Sequence, residues 1–111
     1  INPKHFDVII EGMEKVIKQS DGTANNIKSE SISICGKTGT AQNPHGEDHS
    51  IFIAFAPKEN PEIAIAVYIE NGGWGSTWAA PIAGLMIEKY LKADINLDVE
   101  KFITNGVINS K

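Results

Sequence analysis

Ser31-Ile32-Ser33-Ile34-Cys35-Gly36-Lys37-Thr38-Gly39-Thr40-Ala41-Gln42 is the stretch from which the rest of the chain is read. Its first five residues alternate polar and apolar, the pattern of a half-buried strand. The next seven bring a cation, two hydroxyls and two glycines onto the same run. A lysine and hydroxyls held on a strand suit an anion such as a carboxylate, and a glycine beside them lets a substrate or another element approach the backbone closely. The same residues also make an ordinary strand with a glycine irregularity, because short motifs recur by chance.

A strand is predicted from Ser31 to Gln42, and the regions on either side give it neighbours. Asn43-Pro44-His45-Gly46-Glu47-Asp48 reads as a turn. Ser50-Ile51-Phe52-Ile53-Ala54-Phe55-Ala56 is apolar at almost every position, as in a central strand covered on both faces. Pro57 to Pro61 has the length and composition of a hairpin turn, and Ile63 to Glu70 is a third β-rich run. Three strands joined by short turns make an antiparallel meander.

Helices are predicted at both ends. Phe6, Ile9, Ile10, Met13, Val16 and Ile17 lie at the spacing of an apolar helical stripe. They predict a packing helix from His5 to Gln19, with Asn2-Pro3 at its start and Gly22 as its stop. Ser20 to Glu30 reads as loop. After Asn71-Gly72-Gly73-Trp74-Gly75-Ser76, Thr77 is the expected cap of a helix running to Lys92, with Pro81 in or near its first turn. Its interior, Ala79 to Ile87, is apolar on most sides and predicts burial, with Ala83 and Gly84 allowing close approach to the sheet. Residues 93–111 form a mixed, polar tail anchored by Phe102, Ile103, Val107 and Ile108, with a short helix near Asp98 to Ile103. The fold class is therefore α+β: a three-stranded antiparallel meander flanked by N- and C-terminal helices.

Composition excludes several classes. The 111 residues fit one small domain with a core, and 41% hydrophobic with 22% charged content reads as globular. A net charge of −4 argues against nucleic acid or an anionic membrane as partner. The single cysteine, Cys35, makes no internal disulfide and reads as a small buried hydrophobe. The chain shows no signal-peptide pattern and no apolar run of membrane-spanning length. It starts at Ile1, which leads to the expectation that it is processed or belongs to something longer.

Three rival constellations are weaker. Gly36-Lys37-Thr38 invites a phosphate loop, but the first glycine of that motif falls on Ser31, and strand precedes and follows it. His45, Glu47, Asp48 and His49 include metal-ligating types, yet their clustering in a turn reads as a solvated loop. Gly72-Gly73-Trp74-Gly75 lacks the spacing of a dinucleotide loop and reads as a strand-to-helix connection. Trp74 and Trp78 read as packing residues, with a partner-facing role as the alternative.

With the strand order in hand, the chain resembles the class B penicillin-binding proteins, in particular the elongation-type branch, over Phe6 to Leu91. The likeness rests on an ordered set: Gly36-Lys37-Thr38-Gly39-Thr40-Ala41-Gln42, then His49 to Pro57, then Ile63-Ala64-Ile65-Ala66-Val67, then Glu70-Asn71-Gly72-Gly73, then an Ala-rich helix. The resemblance implies a partial β-lactamase/transpeptidase-like fold. Residues 1–92 would be the C-terminal part of the transpeptidase domain and 93–111 a C-terminal tail. It implies that Lys37 is the catalytic strand lysine, favouring the negative end of the substrate and tuning the serines. Thr38 and Thr40 are implied as substrate-carboxylate hydroxyls, the Thr40 N–H as an oxyanion donor, and Gly39 as the residue that keeps the strand clear of substrate.

The chain departs from that family in one respect. None of its serines, at 20, 29, 31, 33, 50, 76 and 110, has a lysine three residues on, and no Ser-x-Asn triplet occurs. The expectation is thus a fragment of a peptidoglycan D,D-transpeptidase that does no chemistry alone. The alternatives are a fragment of a β-lactam sensor or β-lactamase relative, or a non-catalytic structural or interaction domain. The implied partners are peptidoglycan stem peptides, β-lactams and the remainder of the transpeptidase domain, with oligomerisation through exposed apolar faces as a further expectation. No nucleic acid, metal or organic cofactor is implied. The parent is expected to be anchored in the cytoplasmic membrane with this domain outside it, the fragment itself being soluble.

Overall fold

The computed structural model describes residues 1–91 and 97–109. Helix α1 spans Pro3–Lys18, strands β1, β2 and β3 span Cys35–Ala41, His49–Ala56 and Ile63–Ile69, and helices α2 and α3 span Ala79–Tyr90 and Leu97–Asn109. The three strands form an antiparallel sheet in the order β1-β2-β3. The predicted α+β meander flanked by helices is the observed architecture.

Helix α1 begins at the expected Asn2-Pro3 signal, two residues before the predicted His5. The Asn2 side chain accepts the Lys4 N–H at 3.0 Å, satisfying a first-turn donor that has no partner inside the helix. Pro3 occupies the first helical position, where its missing N–H is not needed. The C-terminus is closed differently from expectation. Gly22 does not adopt a left-handed conformation as a helix stop. The chain instead folds back over the helix end, where Ala24 N–H donates to the Val16 carbonyl at 3.0 Å and the Asn25 side-chain amide donates to the Ile17 carbonyl at 2.9 Å. A Cβ at Gly22 would collide with the Val16 carbonyl, so the glycine is required by close approach. A 3₁₀ turn at Asn25–Ile27 follows.

The predicted strand at Ser31 to Gln42 is shorter in the structure. Ser31 to Ile34 joins no ladder, and its polar groups are engaged elsewhere. Ser29 Oγ accepts the N–H groups of Ser31 and Ile32, and the Lys58 N–H donates to both the Ser33 carbonyl and Ser33 Oγ. The alternation still sorts the faces, since Ile32 and Ile34 are buried and Ser31 and Ser33 are not.

One face of the sheet carries the core. Ser50, Phe52, Ala54 and Ala56 point into it from β2, together with Ile63, Ile65, Val67 and Ile69 from β3. Helix α2 covers this face with Ala79, Ala80, Ala83 and Ile87, all fully buried. Gly84 meets Ile27 of the 3₁₀ turn rather than the sheet. The opposite face holds Cys35, Lys37, Gly39, Ile51, Ile53, Phe55, Ala64, Ala66 and Tyr68 by register and is largely open, except at its Cys35 end, which is buried. Phe52 is 0% exposed, whereas its neighbour Ile53 is 47% exposed. The expectation that β2 is covered on both faces is therefore corrected: β2 is central in the sheet, but only one of its faces is packed among the described residues. The stripe on α1 behaves alike, with Ile17 buried and Phe6 and Ile9 exposed.

Thr77 does not cap α2. The residue before the helix is Trp78, which makes no side-chain cap bond. The helix ends at Tyr90; Lys92 lies outside the described residues. The tail contains a longer helix than predicted, α3, which seats Phe102 on Trp78 with ring centroids 5.2 Å apart and planes 22° apart.

Candidate functional site

The Lys37–Thr40 segment occupies the middle of β1, in register with Ile53, Phe52, Ile51 and Ser50 in turn. Side chains alternate along a strand, so Lys37 and Gly39 share the open face with Ile53 and Ile51. Thr38 and Thr40 share the packed face with Phe52 and Ser50. All of β1 pairs with β2, so Gly36-Lys37-Thr38 is ladder rather than the loop that phosphate binding would need.

Strand β1 is an edge strand among the described residues. The Lys37 ammonium turns back along it and donates to the Thr38 carbonyl at 2.7 Å. In an antiparallel ladder, backbone groups two residues apart point the same way. The Thr40 N–H therefore lies on the same edge as that Thr38 carbonyl. This edge thus presents an ammonium and an outward N–H, while the Thr38 and Thr40 side chains project from the adjoining packed face; a cation, an N–H donor and hydroxyls are the groups that can hold a carboxylate or an oxyanion. Thr38 Oγ1 donates to Thr23 Oγ1 at 3.1 Å, so the loop after α1 lies against the packed side of this edge.

Gly39 is not demanded by packing within the described residues. A Cβ there would meet Ile51 at 3.5 Å, an ordinary van der Waals contact. Gly75 differs. A Cβ there would stand 2.6 Å from the Gly39 carbonyl oxygen and would overlap the Ile51 carbonyl. The loop after β3 therefore lies directly on the backbone of β1 and β2, on the packed side. The sequence offers only a Gly-rich run at this point; that Gly75 touches Gly39 is visible in space alone.

The turn between β1 and β2 uses its polar residues as fasteners. The Asp48 carboxylate accepts the Asn43 N–H at 3.0 Å, and the Asn43 side-chain amide donates to Asn71 Oδ1 at 2.8 Å. His49 Nδ1 accepts the Asn71 N–H at 3.1 Å, and its ring stands 5.3 Å from that of Tyr68. Asn71 has a left-handed φ of 55°, a conformation asparagine tolerates better than most residues. No three His, Cys, Asp or Glu side chains are arranged around a common point among the described residues. The tryptophans divide: Trp78 packs under α3, while Trp74 is 74% exposed, against the reading of both as packing residues.

Elsewhere, charge fastens α1 to the turn after β2. Glu14 bridges Lys18 at 2.9 Å and Lys58 at 3.0 Å. Hydrogen bonds from Lys18 and then Lys58 hold the Glu14 carboxyl below the usual glutamate range, and the Glu14 bond in turn raises Lys58. Burial pushes the Cys35 thiol up, which fits a packing residue rather than a nucleophile.

Comparison with known proteins shows the family. The model of the penicillin-binding protein transpeptidase domain matches residues 1–88. The chain is 34% identical to the peptidoglycan D,D-transpeptidase MrdA of Haemophilus influenzae, over 82% of this chain and 16% of that protein. Its structure matches Pseudomonas aeruginosa PBP2 in complex with WCK 5153, at a TM-score of 0.77 and 36% identity, over 87% of this chain and 22% of that one. It also matches a ceftriaxone acyl-enzyme complex of penicillin-binding protein A from Mycobacterium tuberculosis, at a TM-score of 0.68 and 32% identity, over 79% of this chain and 21% of that one. The chain thus spans about a sixth of the length of the curated relative. Ordered motifs, sheet topology and these likenesses converge: the chain belongs to the penicillin-binding protein transpeptidase family, and within it to the class B, PBP2 type.

Proposed function

We propose that this chain forms the substrate-carboxylate and oxyanion wall of a peptidoglycan D,D-transpeptidase, with the acylating serine supplied by a part of the enzyme outside these residues. The observation that supports the reading is the free edge of β1, where the Lys37 ammonium donates to the Thr38 carbonyl and the Thr40 N–H points outward, with the Thr38 and Thr40 side chains on the adjoining face. In acyl transfer, a serine attacks a carbonyl and the developing oxyanion needs fixed donors. The Thr40 N–H is one such donor. The Thr38 and Thr40 hydroxyls hold the substrate carboxylate, and the Lys37 charge strengthens that hold and tunes the serine. Gly39, which the interior does not need, leaves room for substrate and for the helix bearing the nucleophile.

The substrate class is the peptidoglycan stem peptide, and β-lactams acylate the same serine. The exposed apolar residues of α1 and of the open sheet face are covered by the remainder of the domain; an apolar face this extensive argues for a partner. Residues 1–92 belong to the catalytic domain and 93–111 to its tail. The whole enzyme is anchored in the cytoplasmic membrane with this domain on the outer side. No helix among the described residues is long and apolar enough to cross a membrane.

Fluorescent penicillin tests the reading. The chain alone takes no covalent label, and label at any of its serines by mass spectrometry overturns the proposal. In the full-length enzyme, Lys37→Ala lowers the acylation rate by about a hundredfold, the size of effect seen when a fixed electrostatic partner is lost. An unchanged rate removes Lys37 from the site.

A further inference from the structure

Ser50 is the residue paired with Thr40 across the β1–β2 ladder. It is 0% exposed, on a strand whose other core-facing residues are apolar. Its hydroxyl makes two bonds, and both leave the sheet. It donates to the Trp74 carbonyl at 2.9 Å and accepts the Ala79 N–H at 3.2 Å. Ala79 is the first residue of α2, and Trp78 before it provides no cap. The sheet therefore supplies the cap that the helix lacks locally. One hydroxyl, used as donor and acceptor together, ties both ends of the Trp74–Ala79 connection to β2. Between those two ties Gly75 is pressed onto the Gly39 backbone, and Ser76 is held from the other side, its carbonyl accepting the Asn26 side-chain amide at 3.0 Å.

We propose that Ser50 is a positioning residue for the acyl-transfer wall: its hydroxyl holds the Trp74–Ala79 connection against the back of β1 and so fixes where the Thr40 N–H stands. This rests on the function proposed above. Thr40 is supported through two routes, the pairing of its neighbours Gly39 and Ala41 with Ile51 and His49 of β2 and the Gly75–Gly39 contact that the Ser50 hydroxyl maintains. β1 has no ladder partner on its other side among the described residues, so support from behind is what limits its movement. Donors in such a site act through fixed geometry. Loosening the connection should therefore slow the chemical step and spare the preceding reversible encounter.

The experiment uses the full-length transpeptidase and stopped-flow acylation by a fluorescent penicillin, separating reversible binding from the acylation rate. Ser50→Ala is expected to slow acylation about tenfold, less than outright loss of a donor, with the binding constant within about twofold. Ser50→Thr, which keeps the hydroxyl, restores the rate. Ser50→Cys, nearly isosteric with a much weaker donor, slows acylation too and stands in should the alanine variant not fold. Lys37→Ala runs beside them. If the Ser50 variants lower only the melting temperature while their folded fraction acylates at the wild-type rate, and Lys37→Ala is slow, the positioning role is overturned and the wall reading stands. If Lys37→Ala acylates at the wild-type rate, the wall reading fails and takes the positioning role with it.

Discussion

Gly75 lies on the backbone of Gly39, close enough that a Cβ on Gly75 would stand 2.6 Å from the Gly39 carbonyl oxygen and 3.0 Å from its nitrogen. The contact joins the loop after β3 to the middle of the Lys37–Thr40 segment. Gly75→Ala should therefore force the two apart. Overpacking of this kind costs about 1–3 kcal/mol, and the expected result is a lower urea midpoint with an unchanged slope. Gly73→Ala is a poor control, since Gly73 has a left-handed φ of 71°. Gly12→Ala, in a helical position with open space around it, should be neutral or stabilising.

The two faces of β2 give a second prediction. Phe52→Ala removes a fully buried ring from beneath α2 and should destabilise by about 3–5 kcal/mol. Ile53→Ala, one residue on but facing outward, should cost much less in this chain and more in the full-length enzyme, if the rest of the domain covers that face. Equal costs in the two contexts, read from denaturation midpoints, would show the face uncovered.

Glu14 gives a pH prediction. Its folded carboxyl is held below the ordinary range by Lys18 and Lys58, so folding is favoured by its ionised form. That contribution is complete above the ordinary glutamate range and is lost as pH falls through the lowered folded value. The Glu14→Gln variant should accordingly lose less stability than the wild type between neutral and acid pH. Lys18 is more than half exposed while Glu14 and Lys58 are partly buried, so the bridges remain open to salt; the difference should be small and should shrink further in high salt. Parallel stability–pH curves for the two proteins would count against the bridge.

Trp78 links α3 to the rest of the fold. Its ring stacks on Phe102 and abuts Gly106, where any Cβ would overlap the indole. Trp78→Ala should release α3, raising amide exchange across residues 97–109 at least tenfold, by rough order of magnitude for a helix that has lost its main packing partner. Exchange in β1 and β2 should change little. Uniform protection loss throughout the sheet would instead make Trp78 a general core residue.

Much of the fold was legible in local pattern. The 3.6-residue stripe of Phe6 to Ile17 and the Asn2-Pro3 start located α1 to within two residues at its start and one at its end, because both signals act within one turn of helix. Alternation found the approach to β1 and continuous apolar, β-rich runs found β2 and β3, and the two short turns between them left the meander as the economical topology. The boundaries it missed have local competitors. At Ser31 to Ile34 the serine hydroxyls and the Lys58 backbone take groups that a ladder would have used. At α2 the expected Thr77 cap yields to Ser50, a residue remote in sequence.

By itself, then, the sequence determined the elements, their order, and the Lys37–Thr40 run that marks the family, because periodicity and motif spacing are properties of neighbours along the chain. Tertiary structure alone decided which face of β2 is packed, that the Thr40 N–H shares an exposed edge with the Thr38 carbonyl, and that Ser50 and Gly75 stand behind that edge. These depend on which distant segments arrive at the same place. Burial and backbone approach are set by that arrival, and no window of sequence contains it.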